Sequence, residues 1–213
     1  MSTPARRGRP PKLSRDQVVE AARDLVLAEG YDAVTVRRLA AELGVSSFAV
    51  HAHMRSKDEL FDDVVTELID ARHTPVRNAR SWQLALFQYA LVIWETLLEH
   101  PTVVDVVQRR VTAPESVLPD LERIALLGER AGMSPSALAE VYETVWTFVL
   151  GYAATVHARA GLDELALRSA RAEGIADDHP HAADLVLALA EQERVAAFPR
   201  RLRALIDALA ARP

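Results

Sequence analysis

Residues 35–57 read TVRRLAAELGVSSFAVHAHMRSK. Thr35 is placed to cap a short helix running from about Val36 to Leu43. Gly44-Val45-Ser46 forms a tight turn, and a second short helix follows from about Ser47 to His53. Two short helices at this spacing make the helix-turn-helix pattern, whose second helix lies in a DNA major groove. The segment therefore predicts a sequence reader rather than an enzyme.

The flanks complete a small helical head. Ser14 with Gln17 forms a capping box, and Leu13 is placed to staple onto Val18. Val18, Ala21, Ala22, Leu25 and Val26 follow at helical spacing, and Gly30 closes that helix. Ser56 with Glu59 opens a fourth helix carrying Leu60, Val64 and Leu68 on one face. Residues 12–72 are thus expected to be a DNA-binding domain, preceded by a disordered basic arm over 1–11 and followed by a larger helical domain over 73–213.

Charge supports that division. The whole chain carries −5, but residues 1–60 hold ten Lys/Arg against eight Asp/Glu, and residues 61–213 hold fifteen against twenty-two. Positive charge sits where a phosphate backbone would be met, and the acidic remainder would avoid DNA. The absence of cysteine excludes disulfides, thiolate zinc sites and thiol catalysis. No apolar leader follows the basic N-terminus and no run of 18 apolar residues exists, so neither a secretory signal nor a membrane span is expected and a cytoplasmic location follows by default.

The rest of the chain predicts helices only, so the fold class is all-α. Residues 79–99 are apolar on almost every side, as in a central buried helix. Short helices are expected near 102–110 and 117–131, a long one from Pro135 to about Ala160, and another over 162–174. Residues 174–181 read as a loop. Residues 182–211 read as helix, broken near Pro199.

With these residues laid out, the chain resembles the TetR family of transcriptional regulators. Thr35-Val-Arg-Arg-Leu-Ala-Ala-Glu-Leu-Gly-Val-Ser46, the Val50–Met54 segment and Ser56–Leu60 carry the likeness. The Trp82…Pro101 and Phe198–Leu209 stretches are most similar to the tetracycline-repressor type of C-terminal half. The resemblance implies an all-α homodimer, a palindromic double-stranded operator and a small-molecule effector held in each C-terminal half.

Ser46, Ser47, Phe48, Ala49 and His51 occupy the start and exposed face of the reading helix, where base edges are met. Phe48 either packs on a thymine methyl or turns inward against the first helix. His51 departs from the tyrosine usual in this family, which would contact phosphate; a histidine also donates there. Thr35, Arg37 and Lys57 are phosphate candidates, the first and last at helix N-termini, while Arg38 is open to pairing with a nearby acid. Arg7-Gly8-Arg9-Pro10 is similar to a short AT-hook core, which would place Arg7 and Arg9 in a minor groove or leave them as a disordered leader.

Trp94, Trp146, Phe87, Tyr142 and Gln88 are the candidates for lining an effector cavity, with Glu95, Thr96, Glu143 and Thr147 as further polar groups. Plain core packing is the competing reading for each aromatic. Val145, Phe148, Tyr152, Leu185, Leu189 and Leu202 are the candidates for a dimer face of two helices from each subunit, against burial within one subunit. No catalytic constellation, cofactor motif or metal site is expected; Asp177-Asp178-His179-Pro180-His181 reads as a solvated loop. The expected function is a ligand-released repressor. An architectural DNA binder without effector is the first alternative, and an enzyme using the helical cavity the second.

Overall fold

A computed structural model describes residues 13–71, 76, 78–109, 113, 115–190 and 193–211. The basic arm, with Arg7 and Arg9, lies outside these residues. The described residues are helical, with no strand among them.

Four helices come first: α1 (Arg15–Glu29), α2 (Val36–Glu42), α3 (Ser47–His51) and α4 (Lys57–Asp70). Each begins where its sequence asks it to. The Ser14 side chain accepts the Gln17 backbone N–H, and the Gln17 side chain accepts that of Ser14. Thr35, Ser46 and Ser56 accept the backbone N–H groups of Arg38, Ala49 and Glu59. These oxygens satisfy donors that a helix start leaves without partners.

The turn after α2 depends on Gly44. Its φ of 64° is in the left-handed region. In that conformation the Gly44 N–H donates to the Ala41 carbonyl at 3.3 Å and the Val45 N–H to the Ala40 carbonyl at 3.0 Å. This is a Schellman closure, and a side chain at residue 44 would strain it. The turn sets α3 against α2 and buries Leu39, Ala40 and Val50 while leaving Ser47, Phe48 and His51 outside.

The remaining helices are α5 (Trp82–Glu99), α6 (Val104–Gln108), α7 (Leu118–Arg130), α8 (Pro135–Ala158), α9 (Glu164–Glu173), α10 (Pro180–Ala190) and α11 (Arg194–Ala210). Helix α5 is central, packing on α4, α7, α8 and α11. The expected break at Pro199 does not occur: α11 runs continuously through it. Phe198, Leu202 and Ile206 are fully buried, and that burial offsets the one backbone bond a helical proline removes. Helices α9 and α10 pack on each other. An ion-pair cluster joins them to the body: Glu164 accepts from Arg194 at 3.0 and 2.9 Å and pairs with Arg168 and Arg159. The Arg194 hydrogen bond, aided by all three guanidinium charges, holds the Glu164 carboxyl below the usual carboxylate range.

Candidate DNA-reading surface and effector cavity

Helix α3 presents a polar and aromatic edge. Ser47 and His51 are exposed, and Phe48 is 84% exposed. An apolar ring that size would be buried if a free face of the head could take it, so the inward reading of Phe48 does not describe this structure. Ala49 is half-buried, while Val50 and Met54 pack into the head as expected. Ser46 is the cap of α3 rather than part of its outer face. The Ser46 and Thr35 oxygens are used in capping, but each hydroxyl keeps its proton to donate.

The basic groups divide. Arg37 is exposed. Arg38 pairs with Glu29 at 2.9 Å and lies 3.7 Å from Glu42. Lys57 is half-buried: its ammonium stands 4.0 Å above the Tyr31 ring and 5.4 Å from that of Phe61. Burial lowers its pKa, with Arg109 adding to the effect and Asp32 opposing it. Arg109, the residue capping α6, approaches the same Tyr31 ring at 4.9 Å.

One organising side chain of the head escaped sequence reasoning. Arg15 donates to Asp63 at 2.6 and 3.0 Å, to Glu59 at 3.0 Å and to the His53 carbonyl at 3.1 Å. It ties α1 to the start of α4 and to the exit from α3. Glu59, expected to complete a capping box with Ser56, turns its carboxylate to Arg15 instead. The available signal was the pair of acids four residues apart on α4.

Beyond α4 lies a cavity of about 500 Å³. Val65, Leu68 and Ile69 of α4 form one wall, and Tyr89, Ile93, Thr96 and Leu97 of α5 another. Val103, Val107, Ala113 and Leu121 contribute, and α8 supplies Tyr142, Glu143 and Trp146. The Tyr142 and Trp146 rings are nearly parallel, at 9° and 6.2 Å between centroids. The Tyr89 and Tyr142 hydroxyls lie 3.4 Å apart.

Of the expected cavity residues, Tyr142 and Trp146 line this space, as do the polar Thr96 and Glu143. Trp94 does not: it is buried, stacked on Phe198 at 4.0 Å and edge-on to Tyr152 at 5.5 Å. Phe87 lies under the Arg203 guanidinium at 3.9 Å, outside the lining, and Gln88 and Glu95 are exposed. Thr147 is exposed and also outside it. Tyr89 of α5 lines the cavity as well, with Ile93 and Val107, aliphatic residues that nothing in the sequence set apart from the core.

The dimer candidates also separate. Val145 and Leu202 are buried within the subunit, so neither side chain faces outward. Phe148 and Tyr152 are half-buried in the aromatic cluster around Phe198, and Tyr152 donates to the Arg194 carbonyl at 2.8 Å. Leu185 and Leu189 are exposed on α10, with Leu162, Leu165 and Leu167 exposed on and before α9. Among the described residues no group of three or more His, Asp or Glu side chains is arranged to hold a metal, and no helix is long and apolar enough to cross a membrane.

Comparison with known proteins meets this geometry at both ends of the chain. Residues 18–64 match the family model described as bacterial regulatory proteins, tetR family, and residues 74–212 match the tetracyclin repressor-like C-terminal domain. The HTH-type transcriptional repressor DrrR1 of Streptomyces coeruleorubidus is 29% identical over 152 residues, covering 69% of this chain and 55% of that protein. The match thus spans little more than half the length of DrrR1. Apo ActR from Streptomyces coelicolor shares the fold with a TM-score of 0.81 at 24% identity, over 95% of this chain and 97% of ActR. A single-substitution TetR variant from Acinetobacter baumannii AYE, solved in complex with minocycline, matches with a TM-score of 0.70 at 25% identity over 94% of each chain. Two family models covering most of the sequence, on a fold that joins a helix-turn-helix to a helical cavity, identify this chain as a member of the TetR family of DNA-binding transcriptional regulators.

Proposed function

We propose that this protein is a homodimeric repressor that reads a palindromic operator and is released from it by a small molecule. One observation carries the reading: α4 is shared. It packs on α1, with Phe61 stacked on Tyr31, and its Val65, Leu68 and Ile69 form a wall of the cavity. A ligand pressing on that wall acts on the helix that sets the reading head.

Residues 12–72 form the head in this account, and residues 73–213 hold effector and partner. Ser47, Phe48 and His51 meet base edges or nearby backbone, and Thr35, Arg37 and Ser46 position the head on phosphates. Lys57 and Arg109 meeting on Tyr31 provide a second link, because α6 follows Val103 and carries Val107, both in the cavity wall. Minocycline bound to the Acinetobacter regulator supports a polycyclic small molecule as the kind of effector this architecture accepts. The exposed leucines of α10, alongside α8 and α11, are the surface offered to a second subunit under two-fold symmetry.

Release needs differential affinity. The effector binds better to the conformer whose α4 has moved, and such coupling is typically about 1–3 kcal/mol. The two reading helices then no longer match half-sites separated by about one helical turn or slightly more. Selection of bound fragments from a random DNA pool tests the operator reading. Enrichment of an inverted repeat is expected; enrichment of a single unrepeated site, or of none, contradicts it.

A further inference from the structure

We propose that His157 is a positioning residue of the reading head: its imidazole fixes the end of α5 and the turn after it, and that turn bears on α1 as a link separate from α4. The inference needs no effector and adds to the operator reading above.

The need for a donor arises at the end of α5. A helix end leaves carbonyls without intrahelical partners. The Thr96 carbonyl still accepts the His100 N–H at 3.0 Å. The Leu97 carbonyl would next accept from residue 101, but that is Pro101, which has no N–H. Helix α8 supplies the missing donor from 60 residues along the chain: His157 Nε2 stands 2.7 Å from the Leu97 oxygen. A carbonyl oxygen only accepts, so the imidazole carries a proton on Nε2. His157 is half-buried in the last turn of α8, and Leu97 is buried. Water is therefore a poor substitute for this donor.

The place of that carbonyl gives the bond its reach. A short 3-10 turn, Pro101–Val103, follows at once. Its Val103 N–H donates back to the His100 carbonyl at 3.0 Å, and Val103 is fully buried. The turn packs on α1 of the head and on α8. Thr102 Oγ1 lies 3.5 Å from the carbonyl of Leu27, in the last turn of α1. At that distance the hydrogen bond is weak, and packing carries more of the contact. A head held through α4 alone can pivot about that helix. A second contact on α1 removes the pivot, and its firmness depends on how well the end of α5 is anchored.

Two measurements on the full-length protein test this, comparing wild type with His157→Ala and His157→Gln. Alanine removes the donor, and glutamine places an amide N–H near the position of Nε2. Circular dichroism confirms that each is folded. The first measurement is hydrogen–deuterium exchange without DNA. His157→Ala should raise exchange in peptides covering residues 98–104 and 27–34 while leaving α2 unchanged, and His157→Gln should restore both. A rise confined to 98–104 overturns the link to the head. No rise, an equal rise over α2, or a glutamine variant that behaves like alanine overturns the role of His157.

The second is operator affinity, on the inverted repeat enriched from a random pool and on the same repeat with one base pair inserted between its halves. His157→Ala should bind the original repeat about threefold to tenfold more weakly, the scale of one hydrogen bond's net contribution. It should lose less than wild type on the lengthened repeat, because a loosely held head adapts to a changed half-site spacing. Simple loss of folded protein would weaken both sites alike. Equal discrimination of the two sites by wild type and His157→Ala overturns the proposal. Selection that yields no repeat is a failure of the dimeric reading alone, and exchange at residues 27–34 then decides the role of His157.

Discussion

Phe48 on α3 and Phe198 on α11 are the same residue under opposite treatment. Phe48 is 84% exposed at the edge of a five-residue helix. Phe198 is fully buried, with Trp94, Phe148 and Tyr152 against it. In the head, local chemistry fixes the backbone: caps at Ser14, Thr35, Ser46 and Ser56, and a left-handed glycine at residue 44. That arrangement frees side chains on α3 for an outside partner. In the helices from α5 onward, Ser81, Ser134 and Asp163 also cap helix starts, but interior packing fixes how the helices sit together. Trp94, Phe148 and Tyr152 are taken up by it, while Tyr142 and Trp146 line the cavity. Exposure of a large ring is therefore informative in the head, and the mere presence of one is not informative in the body.

Replacing these two residues gives the sharpest contrast. Phe198→Ala should cost about 3–5 kcal/mol of unfolding free energy, the usual loss for emptying a buried aromatic site, measured by urea denaturation. A loss under about 1 kcal/mol would mean the cluster around Trp94 is not a tight core. Phe48→Ala should leave stability within about 0.5 kcal/mol. It should instead relax base preference at one position in each half-site by about 1 kcal/mol or more, read by competition with single-base operator variants. Unchanged preference would remove Phe48 from base readout and make its exposure unexplained.

This difference also accounts for what the sequence made legible. The head was readable because each helix start and stop is signalled within a few residues, and the structure keeps those caps. The cavity was only partly readable. Trp94 and Trp146 look alike as tryptophans on apolar helices, yet only Trp146 reaches the cavity. On α5 the cavity-facing set is Tyr89, Ile93, Thr96 and Leu97. These are one stripe at helical spacing, and Trp94 and Gln88 sit one residue, about 100°, off it. A helix that is apolar all round carries no mark of which stripe will face empty space; the neighbouring helices decide that. Pro199 failed as a helix break for the same reason, since burial on either side of it outweighed the local rule. Arg15 went unnoticed because its partners, Glu59 and Asp63, are more than forty residues away.

A smaller effect probes how α9 is held to the body. Glu164 is held below its usual range by Arg194, with Arg168 and Arg159 assisting. A carboxylate whose folded pKa is depressed contributes stability above its unfolded pKa, about 4.3, and loses it as pH falls through that value toward the folded one. Glu164→Gln should thus be less stable than wild type at pH 7, and the difference in urea midpoint should shrink below about pH 4. A difference that stays constant with pH would assign the loss to packing rather than to charge.

The central claim is that the reading head and the cavity are energetically linked through α4, and linkage is reciprocal. The direct measurement is a pair of titrations with one cavity-binding compound found by thermal shift and one operator found by selection. The compound is titrated into free protein and into the protein–operator complex, and the operator is titrated with and without saturating compound. Both ratios should equal one factor, between about 5 and 150, with each ligand weakening the other. Equal affinity of the compound for free and operator-bound protein would contradict the account.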